Sequence, residues 1–322
     1  SGATKAWRLH LNGDEQAIYV NKDRPSLSRN DGADKDNWRG GSASDGYYKQ
    51  MLLVPSYLEA GEYYVTVRAP RGTVINLDSR AQEIRTPTAQ PNYSGVDNFE
   101  FNLTGSNDDN FGFITYAVNV PVEQLGWQVN VESTSGNADL YVRKNFVPNR
   151  WNNDGLSELS ASIDDNVTVV PPQLTDTTWY VTVAGEGDFT FSMASSEPQI
   201  DDIELVNIDP PVINNDTGRS GWRYYRMNSN SLVETVQLWE LPLANQVAGT
   251  EIALRRNALP ARWDYRNGTT SVYQGSNVDE SGTSGFLQQQ NHEKDIWYVG
   301  VYTPYAALGA FELTTEAVFN ET

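Results

Sequence analysis

The chain has 322 residues and no cysteine, and its 42 acidic and 23 basic side chains give a formal net charge of −19. The absence of cysteine excludes disulfides and cysteine-ligated zinc, and the acidic balance argues against nucleic acid, because phosphate binding needs clustered Lys and Arg. No stretch reaches the roughly 20 apolar residues that a membrane-spanning helix needs, so we expect no membrane insertion. The acidic character favours an exported protein whose partners are neutral polymers, cations or basic proteins.

The first third of the chain predicts short strands separated by polar turns. These strands are expected at residues 7–11, 16–20, 47–54, 61–67 and 73–77. On the first of them Leu9 and Leu11 alternate with His10, which places His10 on the outward face. A Pro-Arg-Gly turn separates the last two strands and favours a β-hairpin. Residues 78–95 contain two prolines and little apolar surface, so they are predicted to be a linker.

A similar run of residues then occurs twice, and its final residues, Trp151 and Trp263, are 112 positions apart, which is the signature of a repeat protein. GNADLYVRKNFVPNRW at 136–151 returns as TEIALRRNALPARW at 250–263, and a weaker echo, QAIYVNKDRP, lies at 16–25. In each occurrence apolar residues alternate with polar ones, as in a half-buried strand. A later strand repeats in the same way and carries Trp179 in one copy and Trp297 in the next.

Each full copy holds about seven short strands and shows no helical periodicity. The predicted fold is therefore all-β, a tandem of antiparallel β-sandwiches of the jelly-roll or Greek-key type. The copies are expected at residues 1–90, 96–196 and 200–322. The first copy lacks counterparts of the opening strands, because Trp7 already matches Trp127. Either the sequence begins within a longer chain, or the missing sheet edge is supplied from elsewhere in the chain.

The order of motifs in the second copy resembles the bacterial pre-peptidase C-terminal (PPC) domain. The element G-x-A-D-L-Y-V-R at 136–143 and the Trp-Tyr-Val-x-Val strand that begins at Trp179 carry the resemblance. The likeness is good over 96–193, moderate over 201–316, and limited to the later strands of the first copy. The aspartate of the element, Asp139, is replaced by alanine and glutamate in the other copies.

This resemblance implies a non-catalytic β-sandwich appended to a secreted peptidase or another exported enzyme. A more distant similarity to the collagen-binding modules of secreted collagenases implies calcium at acidic loops and ligand contacts through surface tyrosines. The site residues of those modules do not map onto this chain one by one, so calcium and collagen are expectations of class only.

Several loops combine Asp and Asn, and calcium takes six to eight oxygen ligands from such flexible loops. Asp and Asn are also common turn formers, which is the simpler explanation. The best metal candidates are Asp108, Asp109 and Asp216, because they occupy the same loop in the second and third copies.

The chain has nine Trp and seventeen Tyr. Strand tryptophans are predicted to be core residues, namely Trp7, Trp127, Trp179, Trp239 and Trp297. An Arg-Trp pair occurs in equivalent loops of two copies, as Arg150-Trp151 and Arg262-Trp263. Two interpretations are open. Either Arg stacks on Trp as a structural clasp, or Trp forms a stacking platform for a sugar or peptide. The candidate ligand-binding residues are Trp38, Trp151, Trp263, Tyr265, Tyr302 and Tyr305.

The only histidines are His10 and His292, and no Gly-x-Ser-x-Gly or HExxH motif is present. We therefore expect no enzyme, with an unrecognised hydrolase as the third choice. The leading hypothesis is a non-catalytic accessory region within a larger secreted or surface protein. It would attach that protein to an extracellular polysaccharide or a collagen-type matrix protein, with calcium stiffening a loop. The alternative is a structural spacer or adhesin stalk without a ligand of its own.

Overall fold

The structure is a computed structural model. It describes residues 5–12, 17–25, 37–40, 50–87, 99–107, 112–121, 123–160, 164–185, 187–204, 212–215, 221–231, 236–246, 250–260, 272–274, 295–303 and 311–319. Over these ranges the chain is all-β, with several antiparallel sheets packed together, as the sequence predicts. The only helix in this part of the chain is one 3₁₀ turn, Ser229–Ser231.

The first copy is a small sandwich of two three-stranded sheets. Its strands are β1 (Trp7–Asn12), β2 (Ala17–Lys22), β3 (Asn37–Gly40), β4 (Gln50–Leu53), β5 (Tyr63–Arg68) and β6 (Asn76–Ala81). The strand orders are β4-β1-β6 and β3-β2-β5. Leu9, Leu11, Ile18 and Val20 form the buried core between these strands, so the alternation predicted for β1 is confirmed.

The second copy is larger. It contains β7 (Ile84–Arg85), β8 (Phe101–Ser106), β9 (Phe113–Val120), β10 (Trp127–Ser135), β11 (Ala138–Lys144), β12 (Gly155–Ser157), β13 (Asp165–Val169), β14 (Thr177–Gly185) and β15 (Thr190–Ser196). The sheet orders are β13-β10-β15-β8 and β12-β11-β14-β9-β7. Strand β10 takes the place that β1 takes in the first copy, and β8 and β9 have no counterpart among the described residues of that copy.

The third copy repeats this plan with interrupted strands. It contains β16 (Ile200–Ile203), β17 (Val212–Asn215), β18 (Gly221–Asn228), β19 (Val236–Glu240), β20 (Leu243–Ala244), β21 (Glu251–Arg256), β22 (Val272–Gln274), β23 (Ile296–Thr303), β24 (Phe311–Thr314) and β25 (Glu316–Phe319). The orders are β16-β18-β23-β21-β22, β17-β24-β20 and β19-β25.

All three copies pair the repeated strand with the later Tyr-containing strand in the same register. The equivalent pairs are Asn21↔Tyr64, Arg143↔Tyr180 and Arg255↔Tyr298. The residue two positions after each first member has a positive φ, at Asp23, Asn145 and Asn257. Their backbone N–H groups each donate a 2.9 Å hydrogen bond to the carbonyl of Glu62, Thr178 and Ile296 respectively. The repeated sequence therefore folds into a repeated structural element.

The predicted β-hairpin over 61–77 is wrong. Strands β5 and β6 do not pair with each other, since β5 pairs with β2 and β6 pairs with β1 in the other sheet. Strands β14 and β15 are likewise in different sheets. The connecting turn carries the chain from one sheet to the other, which lies about 10 Å away in a packed sandwich.

The predicted linker over 78–95 is also wrong in its first part. Residues 78–81 complete β6, and Ile84–Arg85 pairs in parallel with β9 of the second copy. Strand β16 pairs in parallel with β18 in the same way at the start of the third copy. The chain thus enters each later copy by adding a strand to its sheet.

The outward face of the first copy is covered by the second copy. Leu52 and Val54 form a buried cluster with Val147 and Tyr180 of the second copy. His10 does lie opposite Leu9 and Leu11, but it is buried, with 8% of its surface exposed. Side chains that point away from the core of the first copy, such as Leu52, are therefore not exposed to solvent.

The core positions predicted for tryptophan are largely confirmed. Trp127, Trp179 and Trp297 are buried, and Trp7 is half-buried against the core of the first copy. The side chain of Trp239, on β19, lies outside the described residues.

By contact density the chain divides into two compact units. One comprises Ser1–Val120, Val131–Ala161 and Thr177–Ala194, and the other comprises Pro121–Asn130, Ser162–Asp176 and Ser195–Thr322. The predicted boundaries at 1–90, 96–196 and 200–322 differ from this division and stay a prediction.

Candidate functional site

Of the predicted ligand-binding residues, two have described side chains, Trp151 and Tyr302. Trp38 lies on β3, where only the backbone is described. The remaining candidates lie outside the described residues, namely Trp263, Tyr265 and Tyr305 for ligand and Asp108, Asp109 and Asp216 for metal.

Tyr302 is used in packing. It is half-buried on β23, and its ring lies 5.5 Å from the ring of Trp222 between centroids. Trp222 in turn stacks on Tyr224 at 5.6 Å with an interplanar angle of 9°. This leaves Tyr302 only part of its surface for a ligand.

Trp151 is the most exposed aromatic side chain among the described residues, with 61% of its surface in solvent. It lies in the connection between β11 and β12, residues 145–154, which we name the Trp151 loop. Phe146 in the same loop is 48% exposed. The loop therefore displays two aromatic rings, of which the sequence singled out one.

The backbone of the Trp151 loop is fixed by Asn149. The side-chain oxygen of Asn149 accepts hydrogen bonds from the N–H groups of Trp151 at 3.0 Å and Asn152 at 2.7 Å. Its side-chain nitrogen donates to the carbonyl of Leu52 in the first copy at 2.7 Å. Asn149 is 6% exposed, so this turn is anchored from inside the molecule. An Asn just before a turn is the sequence signal that could have identified it.

A second set of contacts holds the loop from the side of β12. Arg150 makes an ion pair with Glu158 at 3.0 Å, and Tyr141 donates its hydroxyl to the same carboxylate at 2.7 Å. Burial raises the pKa of Tyr141 far above its usual value, and the nearby Asp139 and Glu158 carboxylates raise it further. Tyr141 therefore stays a neutral donor throughout the physiological pH range. The predicted clasp between Arg150 and Trp151 stays a prediction.

Arg143 connects the base of the loop to the first copy. Its guanidinium donates to the carbonyl of Pro55 and lies 5.2 Å from the centroid of the Phe146 ring, a cation–π arrangement. Burial lowers the pKa of Arg143 from its usual value, and Asp154 opposes this effect.

The third copy repeats this connection. Arg255 donates to the carbonyl of Pro171 in the second copy at 2.6 Å and to the carbonyl of Leu259 at 3.1 Å. Val170, next to Pro171, packs in a buried cluster with Leu259 and Tyr298. The contact between consecutive copies is therefore built twice from the same kinds of residue.

In the third copy, Asp295 holds the turn that follows β21, which is equivalent to the start of the Trp151 loop. It accepts hydrogen bonds from Arg256, from the N–H of Ile296 at 2.9 Å and from the side chain of Asn257 at 2.9 Å. These contacts hold the pKa of Asp295 below its usual value, and the hydrogen bond from Arg256 has the largest effect on that pKa.

We expect Asp295→Asn to lower Tm more at pH 7 than at pH 3. The pKa of Asp295 is lower in the folded state than in the unfolded state, so its contacts stabilise the protein at pH values above the unfolded-state pKa, about 4 for aspartate. That stabilisation is lost as the pH falls through the folded-state pKa. Thermal melts from pH 7 to pH 3 measure the difference, with Glu123→Gln, an exposed acid, as the control. A difference that stays constant with pH would contradict this assignment.

In the part of the chain that the structure describes, no three His, Cys, Asp or Glu side chains form a group that could hold a metal ion. His10 is buried, and His292 lies outside the described residues. In the same ranges no helix has the length and apolar character needed to cross a membrane.

Comparisons with known proteins give no family. No family model and no curated protein matches the chain. One similar solved structure is described as a "putative secreted protein from Eubacterium rectale", with 9% identity, a TM-score of 0.23 and coverage of 66% of this chain and 72% of that one.

Two further structures are similar over nearly the whole chain. A structure of Sulfolobus Turreted Icosahedral Virus has 9% identity, a TM-score of 0.20 and coverage of 100% of this chain and 82% of that one. Tripeptidyl Peptidase 2 has 7% identity and a TM-score of 0.21, with coverage of 99% of this chain and 30% of that one. These scores are too low to assign a relationship or a function.

Proposed function

We propose that this chain is a non-catalytic region of a secreted or cell-surface bacterial protein that attaches its parent to an extracellular polymer. The observation that carries the proposal is Trp151, a tryptophan that is 61% exposed on a loop whose turn is anchored by a buried asparagine. Large aromatic side chains are usually well covered in folded proteins, and an exposed flat ring is suited to stacking on a sugar ring or packing against a peptide.

The fixed geometry of the loop favours binding over chance exposure. A ring on a mobile loop loses conformational entropy when it binds, whereas a ring on a pre-ordered loop avoids most of that cost. Asn149 orders the backbone of the loop, and the ion pair with Glu158 orders the side chain of Arg150, which lies between Asn149 and Trp151. The polymer class that we propose is a polysaccharide or a collagen-type protein, because both offer repeated rings or flat peptide surfaces.

Calcium is part of this proposal at the loops that contain Asp108, Asp109 and Asp216. Asp and Asn side chains supply the oxygen ligands that calcium prefers. A metal bound only by the folded state would stabilise the protein by an amount that grows with the logarithm of the metal concentration once that concentration exceeds Kd. Sedimentation with and without a chelator, described below, measures how much calcium contributes to retention on the polymer.

We expect Trp151→Ala to lower retention on the recognised polymer at least tenfold and to leave Tm within about 1 °C, because exposed positions contribute little to stability. The measurement is co-sedimentation with insoluble collagen, chitin, cellulose and alginate, with and without a calcium chelator. The matched control is Ile75→Ala, which removes an apolar side chain that is 48% exposed in another turn. Undiminished retention of Trp151→Ala would exclude the Trp151 loop as the contact.

The alternative function is a structural spacer that has no ligand. The specific observation in its favour is the repeated contact between copies, in which Arg143 and Arg255 each donate to a proline carbonyl of the preceding copy. Such contacts would hold consecutive sandwiches in a defined geometry. Failure of the wild-type protein to sediment with any of the polymers would favour the spacer.

A further inference from the structure

We propose that Tyr57 of the first copy and Phe146 of the second copy extend the Trp151 loop into one binding surface, and that its ligand is an uncharged polysaccharide chain. This inference rests on the proposed function, because it names further residues and the ligand class of the same site. It makes a pair of consecutive copies, instead of one sandwich, the binding unit.

Two hydrogen bonds from the second copy end on one short segment of the first copy, at the end of β4. Asn149 donates to the carbonyl of Leu52 at 2.7 Å, and Arg143 donates to the carbonyl of Pro55. Tyr57 follows Pro55 by two residues. These contacts therefore bring the Trp151 loop to the turn that contains Tyr57.

The turn and the loop together display three exposed aromatic rings. The exposed fractions are 39% for Tyr57, 48% for Phe146 and 61% for Trp151. The guanidinium of Arg143 lies 5.2 Å from the centroid of the Phe146 ring. Burial lowers the pKa of Arg143, whereas Asp154 and Tyr57 lie near enough to oppose that effect. Phe146 and Tyr57 therefore both lie beside Arg143, although they belong to different copies.

The turn that carries Tyr57 is fixed by hydrogen bonds within the first copy. The N–H groups of Tyr57 and Leu58 donate to the carbonyl of Val54 at 3.1 and 2.9 Å. The hydroxyl of Tyr63 lies within hydrogen-bond distance of the carbonyls of Tyr57, at 3.2 Å, and Glu59, at 3.0 Å. A ring on an ordered turn loses less conformational entropy when it binds a ligand.

The contact between copies is built again, without these rings, where the third copy meets the second. Arg255 takes the place of Arg143 and donates to the carbonyl of Pro171, the equivalent of Pro55. The turns after the two prolines are also alike, because in each the N–H of a leucine donates to the carbonyl four residues before it, at 3.0 and 2.9 Å. The two contacts can therefore be compared residue by residue.

The third copy and its contact have a polar and a small residue at the positions of the two rings. Gln173 takes the place of Tyr57, and Ala258 takes the place of Phe146. The contact forms in both cases, so packing between copies does not require an aromatic side chain at either position. The two rings are therefore available for a ligand.

The surroundings of the rings favour a polysaccharide over a protein partner. Protein interfaces centre on an apolar core from which charged residues are depleted. Here the guanidinium of Arg143 lies beside two of the rings, and two asparagines, Asn152 and Asn153, directly follow the third. A sugar unit has a flat C–H face surrounded by hydroxyl groups, so it can stack on an aromatic ring and hydrogen-bond to the polar groups around it.

The charges favour an uncharged chain. Arg150 is paired with Glu158 at 3.0 Å, and Asp154 lies close to Arg143, so the positive charges of this surface have carboxylates beside them. The net charge of −19 repels polyanions at long range. We therefore expect retention on the polymer to change less than about twofold between low and high salt, because no net charge is exchanged on binding.

The test measures retention of full-chain variants on chitin and cellulose as uncharged polysaccharides, on alginate as a polyanion and on collagen as a protein. Tyr57→Gln and Phe146→Ala introduce the residues that the third contact has at the same positions. We expect each variant to lower retention on chitin or cellulose about fivefold. Tm should stay within about 2 °C of the wild-type value. Val74→Ala, which removes an apolar side chain that is 86% exposed elsewhere in the first copy, should bind as the wild type does.

Soluble oligosaccharides give a second measurement that needs no variant. A surface formed by two copies is longer than a single sugar unit, so we expect the six-unit oligosaccharide of chitin or cellulose to bind about tenfold more tightly than the two-unit one. Equal affinities for the two lengths would overturn the inference.

The outcomes separate this inference from the proposed function. Full retention of Tyr57→Gln and Phe146→Ala on a polymer that Trp151→Ala no longer binds would overturn the shared surface and leave the proposed function intact. Retention of the wild type on alginate or collagen alone would overturn the ligand class. Failure of the wild type to bind any polymer would overturn the proposed function, and this inference with it.

Discussion

Replacing Trp127 with alanine is expected to lower the free energy of unfolding by about 3–5 kcal/mol, and the same change at Trp7 by about half as much. Both residues occupy the same place in their sandwiches, and both donate the indole N–H to a serine hydroxyl, at 2.8 Å to Ser195 and at 2.9 Å to Ser79. They differ in cover, since Trp127 is fully buried and Trp7 is half-buried. The smaller loss at Trp7 follows because less apolar surface leaves water when it folds.

Denaturant unfolding followed by intrinsic fluorescence and circular dichroism measures both variants. A chain of several sandwiches can unfold in more than one step, so each variant should be assigned to the transition that it shifts. The control is Trp151→Ala, which removes the same side chain from an exposed position and should leave every transition in place. Equal losses at Trp7 and Trp127 would contradict the expected dependence of the loss on burial.

The sequence was sufficient for the elements that depend on local pattern. Alternation in β1 and β11 predicted which side chains enter the core, and Leu9, Leu11, Leu140 and Val142 are buried as that pattern requires. The prediction that β11 is half-buried is wrong, because Asp139 and Tyr141 on its other face are each only 1% exposed. The repeated run predicted a repeated unit, and the positive φ of Asn145 and Asn257 lies at matching positions of that run. Period and recurrence are properties of neighbouring residues, so they can be read without the fold.

Strand partners could not be predicted in the same way. The turn after β5 has the composition of a hairpin turn, yet β5 and β6 belong to different sheets. A turn sequence restricts the local backbone, whereas the choice of partner depends on which distant strand buries the apolar face. Strand β7 was missed because Ile84 and Arg85 form a strand by pairing with β9, which is not their neighbour in the chain.

The candidate site was predicted only in part, because some of its residues act through distant parts of the chain. The Arg-Trp pair in this loop made Trp151 a candidate ligand-binding residue beside the alternative of a structural clasp, and its exposure is a finding of the structure. Asn149 and Arg143 were not identified, because their roles depend on the carbonyls of Leu52 and Pro55 in the preceding copy. Contacts of this kind join positions about 90 residues apart in the chain, and no local pattern records them.

One sequence feature does mark the contact between copies, and it leads to the second large effect. Strand β4 is apolar without alternation at Met51, Leu52 and Leu53, as expected for a strand that is buried on both faces. We therefore expect Leu52→Ala to lower the free energy of unfolding by about 2–5 kcal/mol, although Leu52 points away from its own core. Leu156→Ala, the same change at a leucine that is 49% exposed, should cost less than about 0.5 kcal/mol. Denaturant titration of both variants measures this difference, and similar small losses would mean that the first and second copies do not pack together in solution.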